Sequence, residues 1–190
     1  MTLTLKKPKT NPGEGIMERI IIYLAAPLFN IAERCHNQRL ARELRKIGYI
    51  VILPQEEAVK FFKDGKFDLR AVIENCAKQA SQSHVVVANL DGPDADSGTA
   101  VEVGIALWEK LGIGSGEKVQ NLSDWNKPLV ICVRTDFRTV LDQEVGINGM
   151  FGLADKIIYK PAFVTTAEEM DKFYKELSQE IDAAIKTNLK

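Results

Sequence analysis

Five short runs of β-branched and aliphatic residues constrain what this chain can fold into. They are Arg19–Ala25, Tyr49–Leu53, His84–Leu90, Pro128–Val133 and Lys156–Tyr159. Their apolar residues run continuously instead of alternating with polar ones, which is the pattern of strands covered on both faces. Strands of that kind lie parallel, and parallel neighbours need long crossover connections. Helical spacing fills those connections. Residues 30–47 form a charged amphipathic stretch closed by Gly48, residues 68–83 form another, and a third begins at Ser97, Gly98 and Thr99. Thr166 opens a C-terminal helix whose Phe173, Leu177, Ile181 and Ile185 keep one apolar stripe.

Strand–helix alternation of this length predicts an α/β fold: a flavodoxin-like, Rossmann-like five-stranded parallel sheet with helices on both faces. Ligands in such sheets bind outside the carboxyl ends of the strands, where strand order reverses. Three turns fall at that edge: Tyr23 to Phe29, Asp91 to Thr99, and Arg134 to Arg138. Pro54 is expected to stop the second strand, and a loop carrying Phe61, Phe62 and Gly65 to lead into the next helix. The glycine-rich stretch from Leu111 to Trp125 lacks the spacing and lysine of a phosphate loop and reads as a surface insertion.

With 190 residues, 45% of them hydrophobic, the chain can bury one core. Residues 17–190 are expected to form one domain, and the polar residues 1–16 a disordered tail. A net charge of −1 with dispersed lysines and arginines leaves no electrostatic footprint for nucleic acid or an anionic membrane, so a small neutral partner fits better. No apolar run approaches a membrane span, and residues 1–16 lack the hydrophobic centre of a secretory signal, so a cytoplasmic location is expected. Cys35, Cys76 and Cys132, with His36 and His84, are not in metal-ligand spacing and read as ordinary reduced residues.

Chemistry concentrates between Asp91 and Ala106. Here the third strand ends in Asp91, Gly92, Asp94, Asp96 and Gly98, and a helix follows that carries Glu102. Glu102 is expected near the positive end of that helix, which favours its ionised form, and an anionic carboxylate beside a cleft is suited to nucleophilic attack. A lone glutamate near a helix start is ordinary helix chemistry. Three aspartates and two glycines in the same turn put the functional reading ahead. Asp91 and Asp94 are either base or sugar contacts or solvated turn residues. Arg134, Asp136 and Arg138 are either substrate contacts or partners in an ion pair.

Taken in order, Ile22-Tyr-Leu-Ala-Ala-Pro-Leu-Phe29, Asp96-Ser-Gly-Thr-Ala-Val-Glu-Val-Gly-Ile-Ala106 and Asn148-Gly-Met150 resemble the nucleoside 2-deoxyribosyltransferase family, across about residues 18 to 160. The resemblance implies transfer of a 2-deoxyribosyl group between nucleobases with retention at the anomeric carbon. Its substrates would be deoxynucleosides and free nucleobases, with neither cofactor nor metal. By position, Glu102 would be the nucleophile that forms a deoxyribosyl ester, Asp96 would manage the proton of the base, and Tyr23 would steer the nucleophile. Asn148 and Met150 would reach a neighbouring subunit's site, which implies a homo-oligomer. The same segments place Ala25, Phe29 and Gly98 among the substrate-binding candidates, and Asp91 joins them from the turn before the second segment.

The chain also departs from the family pattern. Many members carry Asp or Asn as a base contact on the helix before the third strand, where this chain has Cys76 beside Asn75. His84 stands where Asp is common, and Lys186–Lys190 runs past the usual end. A related reading is a nucleoside 5′-monophosphate glycosidase, which hydrolyses the same bond. Such enzymes place Ser where Asp96 stands, and a carboxylate there repels a phosphate. A phosphoribohydrolase of the cytokinin-activating type would need a Pro-Gly-Gly cradle that this chain lacks. A non-catalytic nucleotide-sensing module on the same fold would not need a nucleophile.

Overall fold

The computed structural model describes residues 20–63, 65–112, 127–136, 138 and 147–188. The expected N-terminal tail and the insertion from residue 113 through Trp125 lie outside them. Five parallel strands form the main sheet: β1 (Ile21–Ala25), β2 (Ile50–Ile52), β5 (Val85–Asn89), β6 (Leu129–Arg134) and β7 (Lys156–Tyr159), in the order β2-β1-β5-β6-β7. This is the flavodoxin-like order, with its switch point between β1 and β5. In register, Tyr23 sits beside Ile52 on one side and Val86 on the other.

Alternate residues of each strand feed two cores. Ile22 and Leu24 join Val85, Val87, Ile131 and Val133 under α1 (Ile31–Ile47) and α5 (Ala167–Asn188), where Leu40, Leu44, Leu177, Ile181 and Ile185 close the layer. Tyr23 and Ala25 point the other way, joining Val86, Ala88, Val130 and Cys132 under α3 (Leu69–Gln82) and α4 (Ser97–Leu111). Each buried Ile, Leu or Val contributes about 1.5–3 kcal/mol relative to exposure, which fixes the strand faces. The expected α/β architecture, with helices on both faces, is the one observed.

Helix ends follow local chemistry. Asn30 caps α1 in a reciprocal capping box with Glu33, and Gly48 ends the helix at φ 117°, a conformation that only glycine adopts without strain. Asp68 caps α3, and Asp96 caps α4.

Pro54 follows the end of β2, as expected, and also starts a short helix, α2 (Pro54–Glu57), because its fixed φ and missing N–H suit a first helical position. Two expectations need correcting. The segment read as a loop contains a small antiparallel hairpin, β3 (Phe62–Lys63) with β4 (Lys66–Phe67), turning at Gly65 with φ 74°. Leu111 completes α4 and Gly112 caps it, so the insertion begins two residues later than its sequence indicates.

Candidate active site

At the carboxyl edge of β1, the buried Tyr23 hydroxyl donates to Glu102 Oε1 at 2.6 Å. The two residues are 79 positions apart and meet because α4 packs over β1. Burial pushes the phenol far above its ordinary range, so it is a fixed donor.

Glu102 is not in the first helical turn. With α4 starting at Ser97, it is the sixth residue, beyond the reach of the free N–H groups. Its pKa is accordingly not held low as expected from the helix dipole. It is pushed up to about 7, chiefly by burial, with the Tyr23 hydrogen bond working against the rise and the Asp96 carboxylate adding to it. Desolvation outweighs the dipole because the side chain is sandwiched between helix and sheet.

Asp96 has two jobs available to it. Oδ2 accepts from Thr99 N at 2.8 Å and from Thr99 Oγ1 at 3.1 Å, which caps α4. Oδ1 makes no hydrogen bond among the described residues, and the carboxylate as a whole raises the Glu102 pKa by its charge. A Cβ at Gly98 would stand 3.1 Å from Asp96 Oδ2, so glycine leaves the carboxylate its place.

Asp91 is occupied by the fold. Oδ1 accepts from Thr135 N at 2.5 Å and Asp136 N at 2.8 Å, and Oδ2 accepts from Thr135 Oγ1 at 2.5 Å. Buried Arg134 donates to the carbonyls of Leu90 and Gly92 at 2.7 and 3.1 Å, clasping the same turn from beneath. Gly92 has φ 125°, and a Cβ there would lie 2.9 Å from the Asp94 carbonyl oxygen. Asp136 pairs with Arg138, which holds its carboxyl at about 2. The ion pair left open by the sequence is therefore present. Asp94 is exposed, and its Oδ1 accepts from Ala95 N.

Ala25 is fully buried behind the site, while Phe29 is 75% exposed at the end of the β1 turn. Asn148 caps a one-turn 3-10 helix, Gly149–Leu153, by accepting from Met150 N at 3.0 Å. Phe151 anchors that turn in the Tyr23 core, and Met150 is left 70% exposed. These two residues are therefore presented outward from the chain.

Sequence reasoning missed two contributors. Thr99 bonds the Asp96 carboxylate and Thr135 clasps Asp91. Cys76, singled out at a family base-contact position, packs from α3 against the core that holds Tyr23. His84 Nδ1 accepts from Ile21 N at 3.0 Å, tying β5 to β1 far from the carboxyl edge. A surface concavity of about 630 Å³ exists elsewhere, lined by Lys60, Lys66, Phe67 and the first turn of α3. Among the described residues there is no cluster of three metal-ligating side chains, and no helix is long and apolar enough to cross a membrane.

A doubly wound α/β sheet that brings a phenol-bound carboxylate with a pKa near 7, and a second carboxylate near it, to the strand at its switch point carries groups suited to acid–base or nucleophilic chemistry. Comparison with known proteins makes the assignment narrower. The sequence profile of the nucleoside 2-deoxyribosyltransferase family matches residues 22–150, more than half of the chain. The chain belongs to this family of enzymes.

A conserved protein from Enterococcus faecalis V583 shares the fold, with a TM-score of 0.54 and 24% identity over 83% of this chain and 98% of that one. A 2-deoxyribosyltransferase from the psychrotolerant Bacillus psychrosaccharolyticus matches at TM-score 0.49 and 22% identity, over 80% of this chain and 90% of that one. A 2-deoxyribosyltransferase from Leishmania mexicana matches at 0.45 and 14%, over 83% and 98%. No curated protein matches the chain.

Proposed function

We propose that this enzyme exchanges the nucleobase of a 2-deoxynucleoside through a covalent deoxyribosyl ester on Glu102. The observation that carries this reading is the 2.6 Å hydrogen bond from Tyr23 to Glu102 Oε1. It leaves Oε2 free to attack and fixes the plane of the carboxylate. In the first step the Glu102 oxygen bonds to C1′ on the face opposite the base. The C1′–N bond breaks, its electron pair stays on the base nitrogen, and the Asp96 side of the cleft supplies a proton there. In the second step the nitrogen of the incoming base attacks C1′, the ester bond breaks, and Glu102 regains its charge. The incoming base returns the proton, so two inversions give net retention.

Phe29 offers an exposed ring for a base face, and Ala25 and Gly98 keep the floor of the cleft small. With both carboxylate oxygens already engaged by backbone and Thr135, Asp91 serves the substrate by holding the turn that carries Asp96. Exposed Asn148 and Met150 complete the site of a second copy of the chain, so the working form is a homo-oligomer in the cytoplasm. The same cleft favours free nucleosides over nucleotides, because Asp96 would repel a phosphate.

Incubating the purified protein with a deoxynucleoside and a different free base, and separating the products by chromatography, tests this directly. The expected product is the exchanged nucleoside, lost in Glu102→Ala. Free deoxyribose without exchange would mean a hydrolase. Absence of both, with ligand binding unchanged in Glu102→Ala, would mean a sensing module.

A further inference from the structure

We propose that the outward face of α4 is where a second copy of this chain docks, with the two α4 helices packed antiparallel across a two-fold axis beside Gly104. This rests on the reading that Asn148 and Met150 complete the site of a second copy. From the start of α4 to Trp108 the exposed positions are Ser97, Gly98, Val101, Gly104 and Trp108, and all but Gly98 fall on one stripe along the helix. Val101 is 63% exposed and Trp108 51%, and no position in the stripe is charged. The other helical layer differs. Among the described residues α5 exposes no large apolar side chain, and α1 exposes only Ile31, its first residue.

A Cβ at Gly104 would meet nothing within 4 Å, so nothing in its own chain calls for glycine there. Glycine weakens a helix interior but lets a second backbone come close. A two-fold axis sets a face against itself, where charges would repel, and an uncharged stripe meets itself without that cost. In the antiparallel arrangement Val101 of each copy faces Trp108 of the other, small against large, with Gly104 at the crossing. Together Val101, Trp108, Met150 and Leu153 expose roughly 500 Å² per copy, and about 1,000 Å² for a pair matches the apolar share of a standard interface of about 1,600 Å².

The direction of pairing follows from the site. Lys110, near the end of α4, bonds Asp155, just past the 3-10 turn Gly149–Leu153. That turn therefore flanks the carboxyl end of α4, whereas Asp96 and Glu102 stand toward its amino end. At about 1.5 Å per residue, Glu102 and Lys110 lie about 12 Å apart along the helix. Antiparallel pairing sets the exposed Met150 of each copy toward the Glu102 end of the other. Parallel pairing would not.

Light scattering on the full-length protein and on Gly104→Lys and Trp108→Glu gives the mass of each assembly. The expected parent holds an even number of chains, and each variant halves its mass. A monomeric parent, or variants that keep the parent's mass, overturn the proposal. Should neither variant fold, oxidation of Gly104→Cys in a Cys35→Ser background decides: a disulfide joining residue 104 of two copies supports the antiparallel contact, and its absence overturns it. Mixing Glu102→Ala with Asn148→Ala under conditions that exchange subunits tests the shared site separately. About half of the dimers are then mixed, each with one intact site, so up to about a quarter of the parent's base exchange should return. Masses that halve with no recovery on mixing retire the shared site and leave the α4 contact standing. Recovery on mixing with unchanged variant masses retires the α4 contact and leaves the shared site.

Discussion

Replacing Glu102 by glutamine should stabilise the protein at neutral and alkaline pH. The exchange keeps the shape and the oxygen that accepts from Tyr23 while removing the charge. Glu102 titrates near 4.5 when unfolded and near 7 when folded, with burial the main cause. Between those values the folded chain holds a proton that the unfolded chain has lost, so stability falls as pH rises through the window and the full penalty is present above pH 7. The gap corresponds to roughly 3 kcal/mol, and because the side chain is only partly buried, solvent trims this to about 1–3 kcal/mol. Urea unfolding of both proteins at pH 5 and pH 8 reads the difference. Glu102→Gln should gain about 1–2 kcal/mol over the parent between those two values. An advantage that does not change with pH, or one that shrinks as pH rises, would refute the claim that the fold holds this carboxylate against its ionisation.

Other perturbations follow from the same geometry. Tyr23→Phe removes the hydrogen bond that lowers the Glu102 pKa, so the acid limb of kcat/KM should move above 7 and the rate at pH 7 should fall by roughly tenfold; a pH–rate profile checks this. Gly98→Ala places a methyl 3.1 Å from Asp96 Oδ2, and base exchange should fall several-fold while the urea midpoint moves little. Lys110→Ala removes the cation that bonds the Asp155 carboxylate under the sheet, where Asp155 also accepts from Val130 N at 2.8 Å. With Lys110 only 4% exposed, the stranded carboxylate should cost about 3–5 kcal/mol in denaturant unfolding.

The sheet was legible because Ile22, Val86 and Ile131 belong to runs that only a doubly covered strand can bury. A flavodoxin-like order followed from five such strands alternating with helices. The short helix at Pro54 was not foreseen because the same ring that ends a strand also starts a helix, and the Phe62–Phe67 hairpin is too short to leave a periodic signal. For the site, chain order exposed the carboxylate-rich turn, and the family resemblance paired Tyr23 with Glu102. Chain order could not show that burial outweighs the helix dipole at Glu102, because desolvation depends on which surfaces close over a side chain. Nor could it separate Asp91 from Asp96. Both are turn aspartates by sequence, and only the backbone of Thr135 and Asp136, folded back from β6, saturates one of them.

The claim on which the account turns is that Glu102 carries the sugar. Rapid acid quenching of the enzyme during turnover with a deoxynucleoside, followed by proteolysis and mass spectrometry, should find one deoxyribosyl increment on the peptide containing Glu102 and on no other carboxylate. Base exchange that proceeds with the increment on a different side chain, or with inversion at the anomeric carbon, would contradict it.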